Sequence, residues 1–108
     1  MSSDFAFWKR CIGDPEEVFD ALAEGDTSAL AVSPDVLRFR EELLARWPDV
    51  NDVLEPSQFD LEEEPDDASK YVLLTLSVRQ LDYLPEILDM AKSSGLVGFS
   101  GVAGEPIA

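Results

Sequence analysis

The segment Tyr71-Val72-Leu73-Leu74-Thr75-Leu76-Ser77-Val78 constrains the fold more than any other stretch of the chain. Its β-branched and aromatic residues mark it as a strand. Side chains alternate across a strand, and this one is apolar at both odd and even positions, so it needs cover on both faces. The segment therefore predicts a central place in a sheet, with something packed on each side. Two more strands are expected, over Asp4 to Trp8, where Phe5, Ala6, Phe7 and Trp8 crowd together, and over Leu96 to Ser100.

Helix signals fall between the strands. Asp14-Pro15-Glu16-Glu17 places a capping side chain, a proline and an acid in the order of a helix start. Val18, Phe19, Ala21 and Leu22 supply its apolar face, and Gly25 closes it. Ser33-Pro34-Asp35 repeats that chemistry, and Val36, Phe39, Leu43 and Trp47 recur at helical spacing until Pro48 stops the run. A third helix is expected over Leu81 to Ser93, starting near Asp82 or kinked at Pro85. Gln58-Phe59-Asp60-Leu61-Glu62 alternates apolar and polar and predicts a short edge strand, with a turn at Pro65-Asp66-Asp67. The tail from Gly101 to Ala108 reads as loosely held.

The order strand, helix, helix, strand, strand, helix, strand predicts a single α+β domain over residues 1–108. Its simplest form is a four-stranded, mostly antiparallel sheet with three helices against one face. This is a split β-α-β arrangement with an extra helix in the first crossover. Right-handed crossovers put the first and third strands in the middle and the acidic strand at an edge. The face without helices is then free for a partner. Trp8, Phe39, Trp47 and Tyr71 fall on apolar stripes and are expected in the core.

Charge narrows the function. The 23 Asp and Glu outnumber the 8 Lys and Arg, a net charge of −15, which repels nucleic acid and anionic membranes. The chain has no histidine and one cysteine, so it carries no internal disulfide, no Cys/His zinc site and no histidine base. No apolar run approaches the roughly 20 residues that span a bilayer. The first residues lack a basic region followed by an apolar one, so a cytoplasmic protein is expected, with Cys11 a neutral thiol in a reducing compartment. No nucleophile motif, phosphate loop or dinucleotide fingerprint is present, and neither catalysis nor a cofactor is expected. Asp60, Glu62, Glu64 and Asp66 alternate in the manner of a calcium loop, but the turn glycine is missing and Pro65 intrudes. A calcium-responsive module is thus a minor alternative.

Two stretches hold acids and no base: residues 14–26 with six, and residues 55–67 with seven. Such density steers a basic protein partner, while affinity needs apolar anchors, for which Phe59, Leu61 and Trp8 are candidates. The partner-binding set read from the sequence is Phe59, Asp60, Glu62, Glu63, Glu64, Asp66 and Asp67. The opposing reading gives the acids a role in solubility alone.

Three segments carry a resemblance. Met1-Ser2-Ser3-Asp4-Phe5-Ala6-Phe7-Trp8, Leu43-Leu44-Ala45-Arg46-Trp47-Pro48-Asp49 and Ala91-Lys92-Ser93-Ser94-Gly95-Leu96-Val97-Gly98-Phe99 are similar to stretches of small acidic bacterial proteins of the toxin-immunity type. The motifs are structural and bring no catalytic residue with them. The chain departs from the pattern after Phe99, where related chains carry an aspartate and a proline in place of Ser100-Gly101. The resemblance implies an immunity protein that binds and neutralises a basic toxin domain. The alternative is a small non-catalytic regulatory or scaffold protein, homodimeric through its sheet. The oligomeric state stays open at this point.

Overall fold

The computed structural model describes residues 2–10, 13–101 and 103–107. Strand β1 (Ser2–Trp8) lies at the centre of the sheet because both of its edges are filled. It runs antiparallel to β3 (Val72–Ser77) on one side and to β4 (Val97–Ser100) on the other, so that Ala6 faces Leu73 and Phe99. Two short strands finish the sheet, β2 (Leu54–Glu55) beside β3 and β5 (Glu105–Ile107) beside β4. The open, antiparallel order is β2-β3-β1-β4-β5. Pro106 lies in one edge strand and the other is two residues long, two features that discourage edge-to-edge pairing.

The helices begin where capping chemistry puts them. In α1 (Pro15–Ala23) the Asp14 carboxylate accepts from the Glu16 amide at 3.1 Å. In α2 (Pro34–Arg46) the Ser33 hydroxyl accepts from the Asp35 amide at 3.2 Å. A 3-10 turn over Gln80–Tyr83 leads into α4 (Leu84–Ser93), so Pro85 falls in the first turn, where its missing N–H costs nothing.

The alternation of β1 sorts the core into two layers. Phe5 and Phe7 join Val72, Leu74 and Leu76 under Val36, Phe39 and Leu43 of α2 and Ile87 and Ala91 of α4, all buried. Phe7 meets Phe39 edge-on with ring centroids 5.3 Å apart. On the opposite face Ala6, Trp8, Tyr71 and Phe99 pack with Val18 and Leu22 of α1 and with Leu30. Helices therefore cover both faces, not one, and this satisfies the two-sided demand of β3. Trp8, Phe39 and Tyr71 are core residues as expected, whereas Trp47 is half-buried at the core margin and stacks on Tyr83.

Three local expectations are corrected. Residues 58–62 form no strand; they belong to α3 (Gln58–Glu63). The Ser57 hydroxyl accepts from the Asp60 amide at 3.2 Å and Asp60 accepts from the Ser57 amide at 3.1 Å, a reciprocal cap that outweighs the alternating pattern. The edge strand beside β3 is Leu54–Glu55 instead. The turn read at Pro65 is a 3-10 helix over Pro65–Ser69. The tail is not loose along its length, since Gly104 takes φ +67 and the chain folds back as β5. Cys11 lies outside the described residues. No helix among the described residues is long and apolar enough to cross a membrane.

Gly98 is required by close packing. A Cβ there would sit 2.9 Å from Cδ1 and Cε1 of Phe7 and 3.1 Å from the Ala6 carbonyl oxygen. Gly98→Ala is expected to destabilise the fold by about 1–3 kcal/mol in urea unfolding. Because the clash is with one ring, Phe7→Leu combined with Gly98→Ala is expected to cost less than the sum of the two single changes.

Candidate functional site

The two acidic stretches lie far apart in the chain and meet in space. Thr27 directly follows the first and Asp67 closes the second. The Thr27 hydroxyl donates to Asp67 Oδ1 at 3.4 Å, Lys70 Nζ donates to Thr27 Oγ1 at 3.3 Å, and Lys70 Nζ lies 3.7 Å from Asp67 Oδ1. Next to this junction the Ser33 amide donates to the Ser69 carbonyl at 2.8 Å and ties the start of α2 to the 3-10 helix that carries Asp66 and Asp67. Lys70 is drawn into the junction, so it neutralises Asp67 and leaves the other acids of both stretches uncompensated by it.

The sequence-predicted residues divide by role. Glu62, Glu63, Glu64 and Asp66 are exposed and make no described hydrogen bond or ion pair. Asp60 is exposed but committed in part to the α3 cap. Asp67 turns inward, its side chain only 15% exposed, and acts as the clasp between the stretches. The Phe59 side chain lies outside the described residues, and Leu61 is half-buried. Trp8 is fully buried and so is no anchor for a partner. On α1, Glu16, Glu17, Asp20 and Glu24 are exposed, and so is Asp26. Asp26 Oδ1 accepts from the Ser28 amide at 2.9 Å, and this bond holds its carboxyl below the usual carboxylate range.

Beneath the second stretch lies a cation that sequence reasoning missed. Arg40 is 4% exposed, and neither Nη1 nor Nη2 has a hydrogen-bond partner among the described residues. Desolvation lowers its pKa, while the neighbouring Tyr71 raises it. Tyr71 is pushed up to about 12, first by its own burial and then by the charges of Asp67, Glu55 and Asp60, with Arg40 opposing. The signal for Arg40 was its spacing: it falls four residues after Val36 and three before Leu43, on the buried stripe of α2.

The far side of the molecule is electrically mixed. A groove of about 460 Å³ between α2 and α4 is lined by Arg38, Glu42, Arg46, Glu86 and Asp89, with Arg46 paired to Glu86. Lys9 pairs with Asp35 at 3.0 Å, and this contact keeps the Asp35 carboxyl below its ordinary range. Bases there meet acids one for one, unlike the two acidic stretches. Among the described residues no group of three or more Asp, Glu or Cys is arranged to hold a metal ion. No protein-family model, curated protein or solved structure matches the chain.

Tyr71 generates a pH prediction. Its folded pKa lies above the ordinary 10.0, so the unfolded chain loses this proton first as pH rises. The contribution of the neutral phenol is complete below pH 10 and is lost between about pH 10 and 12. Unfolding midpoints measured across that window are expected to fall more steeply for the wild type than for Tyr71→Phe.

Proposed function

We propose that the chain is a cytoplasmic, non-catalytic immunity protein that binds a basic bacterial toxin domain through its acidic surface and blocks it. The observation that carries this reading is the junction at Thr27, Asp67 and Lys70, which joins two base-free acidic stretches. The resemblance to toxin-immunity proteins supplies the kind of partner, and the charge supplies its sign. An exposed ion pair contributes only about 0.2–1 kcal/mol, so no single acid accounts for tight binding. Many like charges on one surface act together. They raise the encounter rate with a basic partner and penalise acidic competitors. The segment that carries Glu62, Glu63 and Glu64 also carries Phe59 and Leu61, which supply apolar contact next to the charge. Against a nuclease the carboxylates stand in for backbone phosphates.

The competing reading, a scaffold that dimerises through its sheet, has less apolar surface to bury than the sequence implies. Phe99, on the face opposite α2 and α4, is 3% exposed beneath α1.

The test is capture of the partner from cells of the source by the wild-type chain and by a variant with Glu62, Glu63, Glu64, Asp66 and Asp67 all made neutral. The wild type is expected to retain a basic protein at low salt, with the variant losing it by tenfold or more, about the sum of several exposed pairs. Retention of the same partner by the neutral variant would sink this acidic segment as the binding surface.

A further inference from the structure

The helix that covers the second face of the sheet covers only part of it. Helix α1 packs beside β4 and β5, with the Phe19 ring so close to Gly101 that a Cβ there would lie 2.7 Å from it. The β2–β3 half of the same face has no helix on it. By the alternation of the strands Glu55, Leu73, Thr75 and Asp4 share that half, since Glu55 pairs with Leu73 and Asp4 with Thr75. Leu73 and Thr75 are half-buried, and Asp4 and Glu55 are exposed.

A cavity of about 320 Å³ opens at this edge, and its lining includes Asp52, Glu55, Asp60, Val53, Leu54 and Thr75. None of its lining residues is a base. We propose that this recess in the uncovered half-face receives an arginine side chain of the basic partner. The proposal rests on the reading that the partner is basic, and it locates one anchor of that partner. Val53 and Leu54 offer apolar surface to the methylene stem, a contact open to long cationic side chains. The three carboxylates offer acceptors to the five donors of a guanidinium, and a concave wall of one sign concentrates the field more than a convex surface does. Asp60 keeps acceptor capacity, because the bond it accepts from the Ser57 amide occupies one lone-pair site of one oxygen. Asp4, across from Thr75, adds a fourth negative charge at the margin.

The probe is a hexa-arginine peptide, titrated into the full chain at low salt and followed by amide chemical shifts. Three variants separate the groove from generic acidity. Asp52→Asn with Glu55→Gln removes two charges from the groove. Glu16→Gln with Glu17→Gln removes two from α1. Thr75→Trp fills the recess and leaves the charge unchanged. The expected shifts centre on residues 52–55 and 73–75. The groove pair is expected to weaken binding about tenfold, the scale of losing hydrogen bonds to a charged group. The α1 pair is expected to weaken it about twofold, as for exposed charges. Thr75→Trp is expected to match the groove pair. Equal effects of the two charge pairs, with Thr75→Trp binding like the wild type, would overturn the groove and leave the acidic surface standing. No binding of the peptide by the wild type would overturn both.

Discussion

Strand β1 is buried on both faces and paired on both edges, and the rest of the structure follows from that placement. Phe5 and Phe7 look to one layer, Ala6 and Trp8 to the other. Each fully buried side chain of that size contributes roughly 1.5–3 kcal/mol, so neither layer is dispensable. With apolar surface on both sides, α1 must pack against one face and α2 with α4 against the other. The link between α1 and α2 then has to pass round the end of the sheet where β1 finishes and β3 begins. That passage brings Thr27 against Asp67 and Lys70. The meeting of the acidic stretches is thus a consequence of how the core is divided.

The charge distribution carries a cost that the fold limits in two ways. Acids at the first turns of α1 and α2 lie where the helix dipole favours negative charge. Most of the remaining acids are exposed, where water and salt screen their repulsion. The bases are kept in local pairs, Lys9 with Asp35, Arg46 with Glu86 and Lys70 with Asp67. Arg40 stands apart, buried without a hydrogen-bond partner for either terminal nitrogen beside a tyrosine that feels Glu55, Asp60 and Asp67. Its charge offsets those acids from below, and its desolvation opposes that gain.

Much of this architecture is legible in the sequence where local chemistry decides it. Asp14-Pro15 and Ser33-Pro34 mark the starts of α1 and α2, and the strand order β2-β3-β1-β4 follows from the crossover rule. Residues 58–62 mislead because two signals compete there. Alternation points to a strand, and the Ser57–Asp60 cap points to a helix; in a segment bounded by Pro56 and Pro65 the cap prevails. The position of α1 on the second face is not legible, because nothing local in Val18, Phe19 or Leu22 says which side of the sheet they will meet. The same holds for the candidate site. The acids are plain in the sequence, but their junction at Thr27 and the recess beside Thr75 are products of tertiary packing alone.

The central claim is that an acidic surface assembled by the fold recognises a basic partner. It is tested most directly by the rate and equilibrium constants of the complex with that partner across ionic strength. The account predicts an association rate that falls by one to three orders of magnitude, about the range of electrostatic steering, from low to high salt. It also predicts a dissociation rate that changes far less, because the apolar contacts remain. An association rate and affinity that do not respond to salt would contradict it and would assign recognition to a part of the surface other than these acids.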